Sequence, residues 1–521
     1  MNSSAHAVLV AAGIFLSRIA GLVRQRVFAH YFGQSDAGDA FNAAFRIPNF
    51  LQNLFGEGVL SASFIPVYSK LLAQGDEAEA RKVANVVATL LALLVSVLVV
   101  AGVLATPWLV DAIAPGFEGA KRELTIRMVR IIFPGTGLLV LSAWCLGVLN
   151  SHRRFFLSYT APVLWSAAMI AVMLACGGFV ATNDLAVLLA WASVGGAAMQ
   201  LLVQFPVARR LVRGISPSLD RSSPGVRTVI RTSGPVLIGR GVVQISGYVD
   251  SILASFLPAG AVTALANAQT LYMLPVSLFG MAVSAAELPA MSRVVGSHDE
   301  VAALLRARLD GGLGRVAFFI VPSAVALAAL GNVIAAALFQ TGKFSADDAM
   351  WVWGILAGSS VGLLASTLGR LYSSVYYALH DTRTPLRFAI VRVSLGTTLG
   401  VIASLHLPAW IGVDAKWGVA FLTASSGSAG WVEFLLLRRS LHTRIGRTGI
   451  APSRLLTLWC SAGLAAAVAI AAELFVGAGS PPLVLAAVVL GPYGLVYFAT
   501  TRAAGVPEAV ALTARVLRRR G

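Results

Sequence analysis

The feature that most limits how this chain folds is a succession of apolar stretches, each near the ~20 residues a helix needs to cross a bilayer. About fourteen follow one another, near residues 7–31, 37–69, 83–113, 123–150, 155–180, 184–208, 228–257, 262–292, 309–339, 346–379, 386–405, 417–437, 455–476 and 482–501. With 57% hydrophobic and 12% charged residues and a mean hydropathy of +0.79, the 521-residue chain is too oily for a soluble globule. The sequence between stretches is too short for a sizeable soluble domain. The expectation is an all-α polytopic membrane protein of about fourteen transmembrane helices.

A net charge of +17 invites a nucleic-acid reading, but the placement of the charge opposes it. Every second connection is basic: Lys70, Arg81 and Lys82; Arg153 and Arg154; Arg209, Arg210 and Arg213; Arg293, Arg306 and Arg308; Arg383 and Arg387; Arg438, Arg439, Arg444 and Arg447; and Arg518 to Arg520. The alternate connections hold little beyond Lys121, Arg122, Lys343 and Lys416. That asymmetry predicts cytoplasmic N- and C-termini. Cys145, Cys176 and Cys460 lie in apolar stretches without metal or redox spacing, as small packing residues do. The N-terminus lacks a charged leader and a small-residue cleavage site, so 7–31 reads as a mature helix.

Leu54-Phe55-Gly56 with Pro66, Ser69 and Lys70 recurs as Leu278-Phe279-Gly280 with Pro289, Ser292 and Arg293. The copies lie six stretches apart, so direction is preserved and the repeat is parallel, about an axis along the membrane normal. The expected organisation is an N-terminal lobe at 1–213, a cytoplasmic linker at 214–226 and a C-terminal lobe at 227–440. Two added helices fill 441–505, and a basic cytoplasmic tail follows at 506–521.

Charge concentrates in one place where apolar sequence makes it expensive. Residues 17–66 carry Arg18, Arg24, Arg26, Asp39, Arg46 and Glu57, with interruptions at Pro48-Asn49 and Gly56-Glu57-Gly58. A charge at the middle of a membrane helix costs roughly 2.5–3.5 kcal/mol even on the lenient insertion scale. Such residues persist where they face a wet cavity, a partner or a substrate. Ser17, Gly21 and Arg24 share one helical stripe, while Arg18 sits about 120° away from Arg24. Gly21 is the plausible bend point. The plainer alternative is a set of structural ion pairs between these arginines and Asp39 and Glu57.

The run SRIAGLVRQ, DAFNAAFRIPN, FGEG and SFIPVYSK, with APGF at 114–117, FQTGKF at 339–344 and HDTRTP at 380–385, resembles the MurJ/MviN lipid II flippases. These belong to the multidrug/oligosaccharidyl-lipid/polysaccharide exporter superfamily. The resemblance covers about residues 1–440 at ordered spacing. It implies a fourteen-helix, two-lobed fold in the bacterial cytoplasmic membrane and a groove for a polyprenyl tail at 441–505. The implied activity moves lipid II, a glycopeptide linked to undecaprenyl diphosphate, from the inner to the outer leaflet. The implied partners are that substrate and membrane lipids, for a monomer associating with the cell-wall synthesis machinery. Ser17, Arg18, Arg24, Asp39, Asn49 and Glu57 match the family's substrate positions. Gln52 and Thr270 stand where relatives carry further cavity arginines, and Gln25 replaces a frequent aspartate.

Depth suggests what replaces those arginines. At 1.5 Å per residue, Arg18 lies about 16 Å and Arg240 about 20 Å from the cytoplasmic side, and Arg46 about 13 Å from the other. In a core ~30 Å thick the three share one level. Arg46 and Arg240 are therefore expected to complete a cationic ring with Arg18. Some relatives place an acidic ligand for a monovalent cation such as Na+ at the position of Asp250. The positions of the eleventh stretch where its partners would be sought, Gly396 and Gly400, offer no side-chain oxygen, which favours Asp250 as a partner for a buried arginine. No other cofactor is expected. Glu287, Arg315, Arg370, Arg392 and Glu433 are further buried-charge candidates, the plain reading of each being a helix-packing ion pair or a snorkelling end.

Enzymatic readings fare badly: no HExxH, GxSxG or Walker loop occurs, so no ATPase drives the chain. Three functions remain: a flippase for lipid II or another polyprenyl-linked glycan, an exporter of amphipathic drugs, or a non-transporting scaffold. An exporter of cationic drugs calls for cavity carboxylates, whereas arginine dominates here. A scaffold tolerates loss of Arg18 and Arg24.

Overall fold

The computed structural model describes residues 3–284, 287, 291, 297–476 and 480–518. Among them the chain is helical, and its one β-type pairing is the isolated bridge between Thr341 and Phe344. Among the described residues, eleven helices are long and apolar enough to cross a membrane by length and composition. The other three expected spans are helical as well, but charge or breaks interrupt them. Helix α1 (Ser3–Phe32) carries Arg18, Arg24 and Arg26. The span near 37–69 divides into α2 (Asp36–Ala44), α3 (Arg46–Leu51), a π-helical segment (Gln52–Phe64) and α4 (Ile65–Ala73). The span near 228–257 divides into α10 (Pro224–Ser246) and α11 (Val249–Ala254).

The first compact unit is Met1–Thr263. Between α4 and α10 lie α5 (Glu77–Leu104), α6 (Thr106–Ile113), α7 (Gly119–Ser151), α8 (Phe155–Cys176) and α9 (Thr182–Leu211). Helix α7 packs on α9, and α8 on both α1 and α9. Between α7 and α9, Ser142 donates to Gln204 while Gln200 donates to Ser142 at 2.8 Å. Polar groups buried in hydrocarbon must find such partners within the protein. The polar segment before α10 is tied down by Lys82–Asp220 at 2.6 Å and by the Arg213–Glu77 pair. Beyond it, α10 packs on the π-helical segment, with Ser233 donating to Ser63 at 3.0 Å. The repeat alone places this helix in the second lobe, whereas its contacts group it with the first unit.

The second unit is Ala264–Gly521. It takes in most of α12 (Ala261–Pro275), followed by a second π-helical segment, Val276–Met281, which contains Leu278-Phe279-Gly280. Its counterpart Leu54-Phe55-Gly56 lies in the first π-helical segment, so the repeated motif takes the same rare geometry twice. The unit continues through α13 (His298–Ala329), α14 (Gly331–Phe339), α15 (Ala346–Ala378), α16 (Arg383–Leu405), α17 (Leu407–Ile411) and α18 (Gly418–Ile445). Gly354, Gly358 and Gly362 form a stripe on α15 that lets α18 approach closely. A Cβ on Gly362 would lie 2.4 Å from the Gly427 Cα, and one on Gly358 would lie 2.2 Å from the Ala420 carbonyl. Thr423 and Trp431 of α18 donate to the carbonyls of Ile355 and Val361 across this contact. Two helix-packing ion pairs form among these charges: Arg392 meets Glu433 at 2.8 Å, and Arg315 pairs with Glu287.

The HDTRTP motif is a helix-capping turn. Asp381 accepts from the backbone of Arg383 and Thr384, from the Thr384 hydroxyl at 2.7 Å and from Arg444 at 2.8 Å. The Thr384 bonds first, and then Arg444, hold its carboxyl down at about 2. The stabilisation from this lowered value is lost only as pH falls toward that range, so the turn is insensitive to pH near neutrality.

The two last spans, α19 (Pro452–Val476) and α20 (Pro482–Ala503), pack on each other, α19 also on α13 and α20 on α14. Helix α21 (Pro507–Arg518) follows. Pro322 inside α13 has no N–H, which frees the Phe318 carbonyl one turn earlier. Tyr497 donates to that carbonyl at 2.6 Å, and Tyr493 donates to the Pro322 carbonyl at 2.6 Å. Tyr497→Phe should therefore destabilise the chain by about 1 kcal/mol, the loss of one buried bond to an orphaned carbonyl. Thermal unfolding of the purified chain in detergent checks this, with Thr500→Ala as the comparison.

Candidate functional site

Among the described residues, Asp39 takes its partners from outside 17–66 and pairs with none of that stretch's arginines. Asp39, in the first turn of α2, is 1% exposed, and both carboxylate oxygens are engaged. One accepts from the Thr263 amide at 2.8 Å and the Thr263 hydroxyl at 2.9 Å. The other accepts from the Gly260 amide at 2.8 Å and from Lys121 Nζ at 2.7 Å. Lys121 also reaches Asp36 at 2.8 Å and sits over the Phe117 ring at 4.3 Å. Ser35 caps α2 by accepting from Gly38 and so fixes the start of the helix. Gly260 adopts φ +89 against Gln34, and a Cβ on Gly116 would lie 2.3 Å from the Ser255 carbonyl. The connections 114–117 and 255–263 and the start of α2 thus form one polar knot. Asp39, expected to meet substrate, serves as its centre.

The arginines are held differently. Arg24 lies over the Trp165 ring, 4.5 Å from the centroid, with Nη1 4.0 Å from Met169 Sδ. Trp165 and Met169 are one turn apart on α8, and Trp165 is oriented by donating to the Ser193 carbonyl at 3.1 Å. Phe45 leans on the same indole at 5.7 Å. Arg46 begins α3, just past the break at Phe45. Pro48 cannot donate to the Ala44 carbonyl, which explains why the helix is interrupted there. Arg46 sits 5.7 Å from the Tyr248 centroid, within electrostatic reach of Asp250. Its buried Nε has no hydrogen-bond partner among the described residues. Among the described residues, neither Arg24 nor Arg46 forms an ion pair with a carboxylate.

An aromatic face attracts a guanidinium by about 0.5–2 kcal/mol without neutralising it. Both cations are therefore positioned, partly desolvated and still able to bind an anion through their N–H edges. Arg18 is exposed and Ser17 half-buried on an α1 that runs unbroken through Gly21. Asn49 is exposed, and Gln52 opens the π-helical segment. Thr270, in the second unit, donates to the Ala266 carbonyl at 3.0 Å. The side chains of Glu57 and Arg240 lie outside the described residues. No group of His, Cys, Asp or Glu suited to a metal ion occurs among the described residues. Sequence reasoning did not single out Trp165, Met169, Tyr248 or Thr263. Lys121 carried a faint signal as one of the few cations in the non-basic connections.

A family model described as Lipid II flippase MurJ matches residues 28–490. A protein named Lipid II flippase MurJ from Burkholderia cenocepacia is 34% identical over 448 residues, 84% of each chain. A probable lipid II flippase MurJ from Vibrio cholerae is 30% identical over 475 residues, 89% of this chain and 86% of that one. A solved structure titled as lipid II flippase MurJ in an inward closed conformation superposes with a TM-score of 0.75 at 22% identity, covering 95% of this chain and 99% of that one. An inward-facing multidrug resistance MATE family transporter of the MOP superfamily gives 0.63 at 17% identity, covering 84% and 98%. Those two show the shared fold. The extent of the family match and the identity to curated relatives settle the assignment: the chain belongs to the lipid II flippase MurJ family.

Proposed function

We propose that the chain is a transporter, not an enzyme, that moves lipid II from the inner to the outer leaflet of the bacterial cytoplasmic membrane by alternating access. Arg18, Arg24 and Arg46 grip the diphosphate, with Arg240 as a fourth cation. The observation that carries this reading is the pair Arg24 and Arg46, each set against an aromatic ring with no carboxylate ion pair among the described residues. A diphosphate offers oxygens that a guanidinium binds two at a time. Asp250 acts as the electrostatic partner that keeps Arg46 in place, not as a cation ligand. The basic connections keep both termini in the cytoplasm. With no nucleotide site, the membrane potential supplies energy: each negative charge leaving the cytoplasm gains ~2.3 kcal/mol per 100 mV. The test is complementation. A cell depleted of its own lipid II flippase should grow when it expresses this chain, and lysis at normal membrane abundance of the chain would refute the proposal.

A further inference from the structure

A second cationic feature lies away from the arginines already described, on α7 and α9 of the first unit. Glu123, Ile126, Arg127, Arg130, Ile131 and Trp191 line an open groove of about 490 Å³. Arg127 and Arg130 are one turn apart on α7, and both are exposed. Among the described residues neither forms an ion pair with a carboxylate. Glu123 stands on the lining one turn further out, so the groove keeps an excess of positive charge.

Depth makes the position meaningful. Residues 131–150 contain no Asp, Glu, Lys or Arg. At 1.5 Å per residue that run is ~30 Å long, the thickness of the hydrocarbon core. Arg130 is therefore the last charge before hydrocarbon, and Arg127 lies one turn nearer water. Both fall at the level of lipid phosphates. Trp191, 58% exposed, presents its indole at the same groove, as aromatic residues do at a membrane interface. Ile126 and Ile131 supply apolar wall on either side of the arginine pair.

We propose that this groove is a binding site for the headgroup of an anionic phospholipid, with the phosphate held between Arg127 and Arg130 and the acyl chains leaving along Ile131 and Trp191. Two guanidinium groups around one phosphate give charge-assisted bonds that a single snorkelling arginine does not. Charge complementarity selects the occupant: phosphatidylglycerol brings a net negative charge, whereas phosphatidylcholine carries its own cation into a groove already rich in them.

The test is native mass spectrometry of the full chain in detergent, titrated separately with phosphatidylglycerol, phosphatidylcholine and inorganic phosphate. The expected result is preferential retention of phosphatidylglycerol over both other probes. Arg127→Gln with Arg130→Gln should weaken that retention about tenfold or more. Arg127→Lys with Arg130→Lys should weaken it less, and thermal unfolding without added lipid should match the native chain for both variants. Equal retention of phosphatidylglycerol and phosphatidylcholine, or undiminished retention by the glutamine variant, would overturn the proposal. Binding of inorganic phosphate as tight as that of phosphatidylglycerol would also overturn it, by showing an anion site that does not recognise lipid. None of these readouts depends on lipid II transport.

Discussion

Arg24→Ala should reach the membrane in normal amount and fail to move lipid II. Arg24 is braced by Trp165 and Met169, and these contacts orient the guanidinium without consuming its charge. Its removal deletes the donor and leaves behind an apolar pocket wall that packs without it. A charge-assisted hydrogen bond to a phosphate contributes about 1.5–3 kcal/mol, so losing one corresponds to roughly 10- to 150-fold in binding. Complementation read beside membrane abundance separates the outcomes. Trp165→Leu should show a milder form of the same defect, because Arg24 stays charged but is no longer oriented. Normal growth with Arg24→Ala would show that Arg24 has only a packing role.

Asp39→Ala should behave in the opposite manner and lower stability before anything else. The substitution strips the acceptor from two backbone amides, the Thr263 hydroxyl and Lys121, all around a carboxylate that is 1% exposed. Each buried donor left unpaired costs about 1–3 kcal/mol, and breaking a buried ion pair by removing one partner costs about 3–5 kcal/mol. A large drop in the thermal unfolding midpoint in detergent is expected, with reduced membrane abundance. Asp39→Asn should retain part of the loss, since its amide oxygen still accepts from one side of the knot. An Asp39→Ala chain that unfolds like the native one would restore the reading of Asp39 as a substrate contact.

The contrast between these residues shows what the amino-acid sequence made visible. Long apolar runs announce membrane helices because a helix satisfies its own backbone in hydrocarbon, and among the described residues eleven spans have the required length and composition. The three that fall short are those whose charges and breaks pointed to a polar site. Arg24 and Arg46 were legible because a cation amid apolar residues needs a reason. Their supports were not, since Trp165 and Tyr248 look like ordinary packing in any single stretch. The partner of Asp39 was hidden as well, because Lys121 lies 82 positions away and joins it only through the fold. Several motifs behind the family resemblance are fold devices. HDTRTP caps a helix, and FQTGKF closes a turn at Gly342, φ +57, that sets the buried Phe339 and Phe344 rings 5.8 Å apart. The glycine stripe on α15 is visible as spacing at 354, 358 and 362, but the partner it admits, Gly427, is set by tertiary contact.

The central claim is that this chain carries lipid II across the membrane with its diphosphate on arginine. The most direct measurement is the fraction of cellular lipid II that an externally added, membrane-impermeant lipid II-cleaving enzyme destroys, in cells depleted of their own flippase. The native chain should keep lipid II accessible from outside, and Arg24→Ala combined with Arg46→Ala should leave it protected and accumulating. Lipid II that stays protected with the native chain, or accessible without both arginines, would contradict the account.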